Sequence, residues 1–220
     1  MDPSDLPVGE RVPALEVARP PSTVLEGSFV SLEPIDPDRH AEALFAVGHG
    51  SPPAEALWTY MPYGPFEDLA AMRAWLATLP GSEDPLFFAV VREGSALGMT
   101  SFLNIDTAMR RLELGHIWFG PSAQRTEANT ESAFLMLGWA FEAGYRRAEW
   151  KCDALNARSR AAAERLGFTF EGVFRRHMIV KGRNRDTAWF SIVDAEWPGV
   201  RARLGSWLEG HRVSHDDEAP

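Results

Sequence analysis

The 220-residue chain is predicted to fold as one α/β domain, a mixed sheet flanked by helices. Three observations predict it. Short apolar runs rich in β-branched and aromatic residues are joined by glycine-containing turns, as at Leu86–Arg92 and Leu97–Leu103 around Glu93-Gly94-Ser95-Ala96. From Arg111 onward, strand-like and helix-like segments alternate. Apolar residues make up 45% and charged residues 24%, a globular composition on a chain long enough to bury a core.

Each element has a local reason. Residues 1–23 read as a flexible tail, because Pro3, Pro7, Pro13, Pro20 and Pro21 interrupt any helix. The domain then spans about 24–208, and 209–220 reads as a second flexible tail. Phe29–Leu32 is a short strand, and Asp36-Pro37 supplies the N-cap and first turn of a helix that runs to about Val47 and stops at Gly48. Leu69, Met72, Leu76 and Leu79 recur at helical spacing within Glu67–Leu79, before Pro80-Gly81. The hairpin 86–103 follows, and Arg111–Phe119 is a further strand. A helix is expected over Asn129–Ala143 with Gly144 as its stop, then a strand over Arg147–Asp153 and an alanine-rich helix over Ala157–Leu166 closed by Gly167. Phe168–Val180 and Thr187–Asp194 are strands around the turn Lys181-Gly182-Arg183-Asn184.

The net charge of −9 argues against a nucleic-acid or membrane-surface partner and favours a cationic substrate. The single cysteine, Cys152, forbids an intrachain disulfide, and no metal-ligand spacing is present; a cytoplasmic location fits. No apolar run is long enough to cross a membrane.

The stretch from Leu112 to Phe168 carries the chemistry. Its first strand ends in Gln124-Arg125-Thr126-Glu127, which feeds into a helix. Unpaired amides and the positive end of the helix dipole make an anion site there, unless the turn is merely one capped by Asn129 or Thr130. Leu112-Glu113-Leu114-Gly115-His116-Ile117-Trp118-Phe119, then Gln124-Arg125-Thr126 with Asn129-Thr130-Glu131, Lys151 to Asn156 with Arg158-Ser159-Arg160, and Glu164 to Phe168 resemble the GNAT acyl-CoA transferases, most of all their RimJ/RimL-like branch. The resemblance covers about Leu25 to Trp197, and Glu171-Gly172 with Arg183-Asn184-Arg185-Asp186 fit its last hairpin.

It implies a mostly antiparallel central sheet splayed around a CoA groove. It also implies transfer of an acetyl group from acetyl-CoA, as co-substrate and without a metal, to a primary amine by direct attack in a ternary complex. The acceptor would be a protein N-terminus or a small amine. A noncatalytic acyl-CoA-binding or regulatory module on the same fold is the alternative. The cofactor residues it implies are Ile117, Trp118 and Phe119 through their backbone, Gln124, Arg125, Thr126, Asn129 and Thr130 at the pyrophosphate, and Asn156 and Ser159 near the pantetheine arm and sulfur. Two positions depart from the pattern: Glu127 stands in a glycine slot of the phosphate loop, and Ala163 stands where many relatives carry a proton-donating tyrosine.

Glu113 is the candidate base, inside an apolar strand and two residues from Gly115, where a substrate can approach. Its bland alternative is an outward-facing or Arg111- or Arg147-paired carboxylate. Ser159 is the candidate donor to sulfur, or else a helix cap. His116, of opposite parity to Glu113, reads as a packed histidine. Trp58, Tyr60, Met61 and Tyr63 would wall an acceptor pocket or pack on the sheet, and His177 lies where acceptors approach. Arg175, Arg176, Lys181, Arg183 and Arg185 make a basic hairpin, read as a solvated edge. Its functional alternative is phosphate contact across a homodimer.

Overall fold

The computed structural model describes residues 6–217, with side chains through 213. An eight-stranded sheet runs in the order β1-β2-β3-β4-β5-β6-β8-β7. The strands are β1 (Leu25–Glu26), β2 (Ser31–Pro34), β3 (Leu86–Arg92), β4 (Ser95–Asp106), β5 (Arg111–Phe119), β6 (Arg147–Asp153), β7 (Thr169–Val180) and β8 (Arg183–Val193). The helices are α1 (Pro37–Gly48), α2 (Pro52–Glu55), α3 (Leu69–Leu76), α4 (Glu127–Glu142), α5 (Ala157–Leu166) and α6 (Trp197–Asp217). Among the described strands only β5 and β6 pair in parallel, the helix α4 making the crossover between them that parallel pairing requires.

Alternation along each strand sorts the core into two layers. Phe88, Val90, Phe102, Leu112, Leu114, Trp150, Phe190 and Ile192 face α4, α5 and α6. Phe87, Ala89, Val91, Met99 and Trp118 face α1, α3 and the segment between them. The caps follow the sequence: Asp36 accepts from the Asp38 amide, and Asp68 accepts from the Ala71 amide at the start of α3. Helix α4 begins at Glu127 with Thr126 as its cap, two residues earlier than expected, so Asn129 and Thr130 are interior positions. Both hairpin tips are tight pairs at positive φ, Glu93-Gly94 and Lys181-Gly182, which is why β4 and β8 start earlier than the turn composition suggests.

Both expected tails require correction. At the start, the Tyr145 hydroxyl donates to the Ala18 carbonyl, Arg19 donates to the Glu83 carbonyl, and a Cβ at Gly144 would meet Leu15 and Val17, so residues 15–19 are docked. At the end, α6 continues past 208 to Asp217, and its Trp197 stacks on Phe141 with ring centroids 5.2 Å apart. The outermost parts of those tails, 1–5 and 218–220, lie outside the described residues.

Candidate active site

The site begins where the parallel ladder ends. Strands β5 and β6 pair from Arg111↔Arg147 to Leu114↔Trp150 and no further, although β5 continues to Phe119 and β6 to Asp153. The two strand ends therefore open into a wedge. Against β4, Met99 faces Trp118 and Ser101 faces Gly115, so β5 spends one extra residue there. His116 takes up that bulge at φ 52°. Gly98 permits the close crossing opposite, since a Cβ there would lie 2.1 Å from the Trp118 carbonyl oxygen.

At the mouth of the wedge stands the N-terminus of α4. Thr126 accepts from the Ala128 amide and donates to the Ala123 carbonyl, Gln124 holds the Phe119 carbonyl, and Arg125 is exposed at φ 65°. A left-handed residue followed by the first turn of a helix is backbone of the kind that receives anions. Glu127 does not spoil it. Its carboxylate is 3.3 Å from the Arg92 guanidinium on β3, and Arg92 also donates to the Phe29 carbonyl. Thr130 is withdrawn from the expected set: it is 1% exposed, and its hydroxyl accepts from Arg165 of α5 at 2.7 Å. Asn156 caps α5, taking the Ser159 amide. Ser159 is therefore capped rather than capping, and its hydroxyl accepts from the Trp150 indole N–H at 3.0 Å.

The sheet face towards α1 and α3 carries the charges. Glu113 and Glu149 are opposite one another across the β5–β6 ladder, and both are buried. Lys151 lies between them, 2.8 Å from Glu113 Oε2 and 3.0 Å from Glu149 Oε2, with its ammonium 3.9 Å from the Trp189 ring centroid. Glu113 is thus paired with Lys151, not with Arg111 or Arg147. Asn104 donates to the same Oε2 at 2.7 Å from a β4 bulge, where it sits at φ 49°. Asp84 clasps that bulge by accepting from the Asn104 and Ile105 amides. Arg147 donates to both Glu149 and Glu171, so the charges alternate in sign along the face. Burial raises the Glu113 pKa, and Lys151 and Asn104 only partly offset it. Burial also works against ionised Glu149, but Arg147 and Lys151 outweigh it and hold that carboxyl low.

The space at Gly115 belongs to Leu103, which a Cβ would approach to 2.7 Å; it is not room for a substrate. His116 packs against Phe87 and Tyr63, at 4.8 and 5.6 Å between centroids, and burial lowers its pKa to about 4. Trp58, expected to wall a pocket, is 1% exposed and donates to the Gly48 carbonyl, so it belongs to the core. The Tyr60 hydroxyl donates to the Leu155 carbonyl beyond β6. Lys181 at the β7–β8 tip donates to the Trp58 and Gly64 carbonyls, fastening the hairpin over the same loop. His177 is exposed, bonded to the Thr187 hydroxyl at 3.0 Å. The sequence reading missed Lys151, Asn104 and Arg92. Only Lys151 had a readable signal, a cation of the same parity as Glu149 in a buried strand.

Among the described residues no group of three or more His, Cys, Asp or Glu could hold a metal, and no helix is long and apolar enough to cross a membrane. The family model described as an acetyltransferase (GNAT) domain matches residues 30–169. YdaF of Bacillus subtilis strain 168, provisionally named a ribosomal N-acetyltransferase, is 32% identical over 130 residues, covering 59% of this chain and 68% of that protein. A GCN5-related N-acetyltransferase from Brucella melitensis superposes with a TM-score of 0.84 at 43% identity, covering 88% of each chain. A GNAT-family acetyltransferase structure from Chromobacterium violaceum ATCC 12472 gives 0.79 at 42% identity, covering 88% of this chain and 100% of that one.

Proposed function

The chain belongs to the GNAT acetyltransferase family, and from that premise we propose that it transfers an acetyl group from acetyl-CoA to the amino-terminus of a protein. The observation that carries this reading is that α4 starts just after the β5–β6 ladder has parted. A long cofactor with a charged end and a reactive end needs both, one to anchor it and one to admit it between strands. Acetyl-CoA would supply an activated thioester. The Gln124–Asn129 amides and Arg125 would hold its pyrophosphate, the β5 backbone at Ile117–Phe119 would face its arm, and Asn156 and Ser159 would border it from α5. The protein acceptor is favoured by the likeness to YdaF.

The acceptor arrives mostly as an ammonium and must lose a proton before it can attack. Glu113 takes that proton, directly or through a water. Lys151 and Asn104 both bind Oε2, which leaves Oε1 as the oxygen for this task. Burial makes the carboxylate more basic, and Lys151 and Asn104 pull the other way in part. Ser159, its oxygen accepting from the Trp150 N–H, can donate a hydrogen bond to the departing sulfur, whose proton then comes from solvent. A cytoplasmic location suits this role, and the free, buried thiol of Cys152 fits a reducing compartment.

Thiol release from acetyl-CoA, measured with N-terminal peptides, lysine side-chain analogues and small amines, tests the proposal. Turnover with peptides bearing a free α-amine is expected to exceed that with the other classes. Turnover confined to small amines would overturn the protein acceptor, and no binding of CoA would overturn the cofactor site.

A further inference from the structure

Strand β8 pairs regularly with β6 from Thr187 to Val193, which puts Thr187, Trp189 and Ser191 on the face of Lys151 and Glu113; Arg185 precedes them by two residues, opposite the bulge of β7 between Phe174 and Met178. Beyond Thr187↔Asp153 the ladder gives way to the turn after β6, where the Ala154 amide donates to the Asp186 carbonyl and Tyr60 reaches Leu155. Arg185 therefore stands beside the turn that follows β6, four residues and about 13 Å of extended strand from the Trp189 that lies under Lys151.

Its environment is unbalanced. Arg185 is half-buried, its Nε is closed off from solvent, and that atom has no hydrogen-bond partner. Among the described residues no carboxylate lies within 4.0 Å of its guanidinium, although the chain carries a net charge of −9. The acids that flank it in the ladder are engaged elsewhere: Asp153 accepts from the Leu155 amide, and Asp186 accepts from the Arg176 amide and from Asn184. The Trp189 indole N–H, on the face of Lys151, is likewise buried without an acceptor. Buried donors are rarely left unpaired, and a guanidinium least of all. Exposed Arg175, Arg176 and Arg183 on the same hairpin extend the positive field outward.

We infer that Arg185 is a specificity-determining residue that binds a carboxylate of the acceptor, so that the enzyme selects amino-termini followed within a few residues by Asp or Glu. The inference rests on the protein-acceptor reading and deepens it. Glu113 receives the ammonium end, and Arg185, with Trp189 donating nearby, receives the acidic side chain. The planar guanidinium suits a carboxylate bidentately, which lysine does not.

The test uses the full-length enzyme with three peptide sets of one sequence frame, carrying Glu, Gln or Lys at positions 2 to 4, at low and high salt. Wild type should show a KM for the Glu peptides about ten- to a hundredfold below that for the Gln peptides, the range of a charge-assisted hydrogen bond. Arg185→Gln should erase that gap while leaving the KM for acetyl-CoA within about twofold, and Arg185→Glu should shift preference to the Lys peptides. Equal KM values across the wild-type series overturn the inference while leaving the protein acceptor standing. So does an Arg185→Gln loss of equal size on all three sets. Turnover with no peptide of any charge overturns the reading on which it rests, and the inference with it. The wild-type series decides even if the variants fail to fold.

Discussion

Lys151 Nζ is bound at 2.8 Å to the carboxylate of Glu113, and the two come from adjacent strands on either side of the last rung, Leu114↔Trp150, where β5 and β6 part. A buried carboxylate alone would be protonated at neutral pH and useless as a base. At Glu113 one cation and one amide donor pull against that rise without cancelling it. Glu113→Gln keeps the shape and the Asn104 contact but removes the basic oxygen. Turnover should fall by about 10²-fold, the scale of general-base catalysis, with little change in the KM for acetyl-CoA. Full turnover across the pH range would show that a water chain or His177 takes the proton.

Lys151 acts through Glu113, so its removal should be visible in the pH profile. The cation lowers the Glu113 pKa against the burial that raises it. In Lys151→Met the opposing effect disappears, the pKa climbs further, and the acid limb of kcat/KM moves to higher pH. A purely structural lysine would lower activity at every pH alike. The steady-state profile from pH 5 to 9 separates the two.

Much of this was legible in the chain. β3, β5, β6 and α5 lie where their apolar runs and stops place them, because alternation and caps are local properties. Helix α6 was not legible, since Gly199, Gly205 and Gly210 speak against a helix; packing of Trp197, Leu204 and Leu208 on the rest of the core overrides propensity. Nor was the partner of Glu113. Sequence parity puts Glu149 and Lys151 on one face of a strand, but only the parallel register of β5 with β6 brings Lys151 to Glu113. Trp58 illustrates the limit for aromatics: the indole that would line a pocket and the indole that fills a core look alike in sequence, and burial decides.

The Arg92–Glu127 pair predicts a double-mutant result at the phosphate end. With the pair intact, the acid is held by the β3 arginine, and Glu127→Gly should preserve or tighten CoA binding. Arg92→Met removes the cation that balances this carboxylate beside the helix start and should weaken CoA by several-fold, more at low salt than at high. The double variant should recover most of that loss. Calorimetric titration with CoA reads all four proteins, and additivity of the two single changes would show that Glu127 never influences the site.

His116 predicts an acid-dependent change in stability. Its backbone is left-handed at the β5 bulge, its ring packs on Phe87 and Tyr63, and burial lowers its pKa from 6.5 to about 4. Between those two pH values the unfolded chain binds a proton that the folded chain refuses. The free energy of unfolding should therefore rise with pH across the window, by at most about 1.4 kcal/mol per pH unit from this residue. The contribution is fully present above pH 6.5 and is lost as pH falls towards 4. Asn tolerates a left-handed backbone, so His116→Asn removes the titrating ring without imposing strain at the bulge. At pH 7.5 the variant should be less stable by about 0.5–1.5 kcal/mol for the lost ring packing. That deficit should shrink as pH falls, because only the wild type is penalised by the refused proton, and the two curves should approach or cross near pH 5. Urea unfolding at pH 7.5, 6 and 5 measures the difference directly, with other acids cancelling between the two proteins. A deficit that stayed constant over the three values would mean that the imidazole titrates alike in the folded and unfolded chains, and the neutral, packed histidine at the bulge would have to be given up.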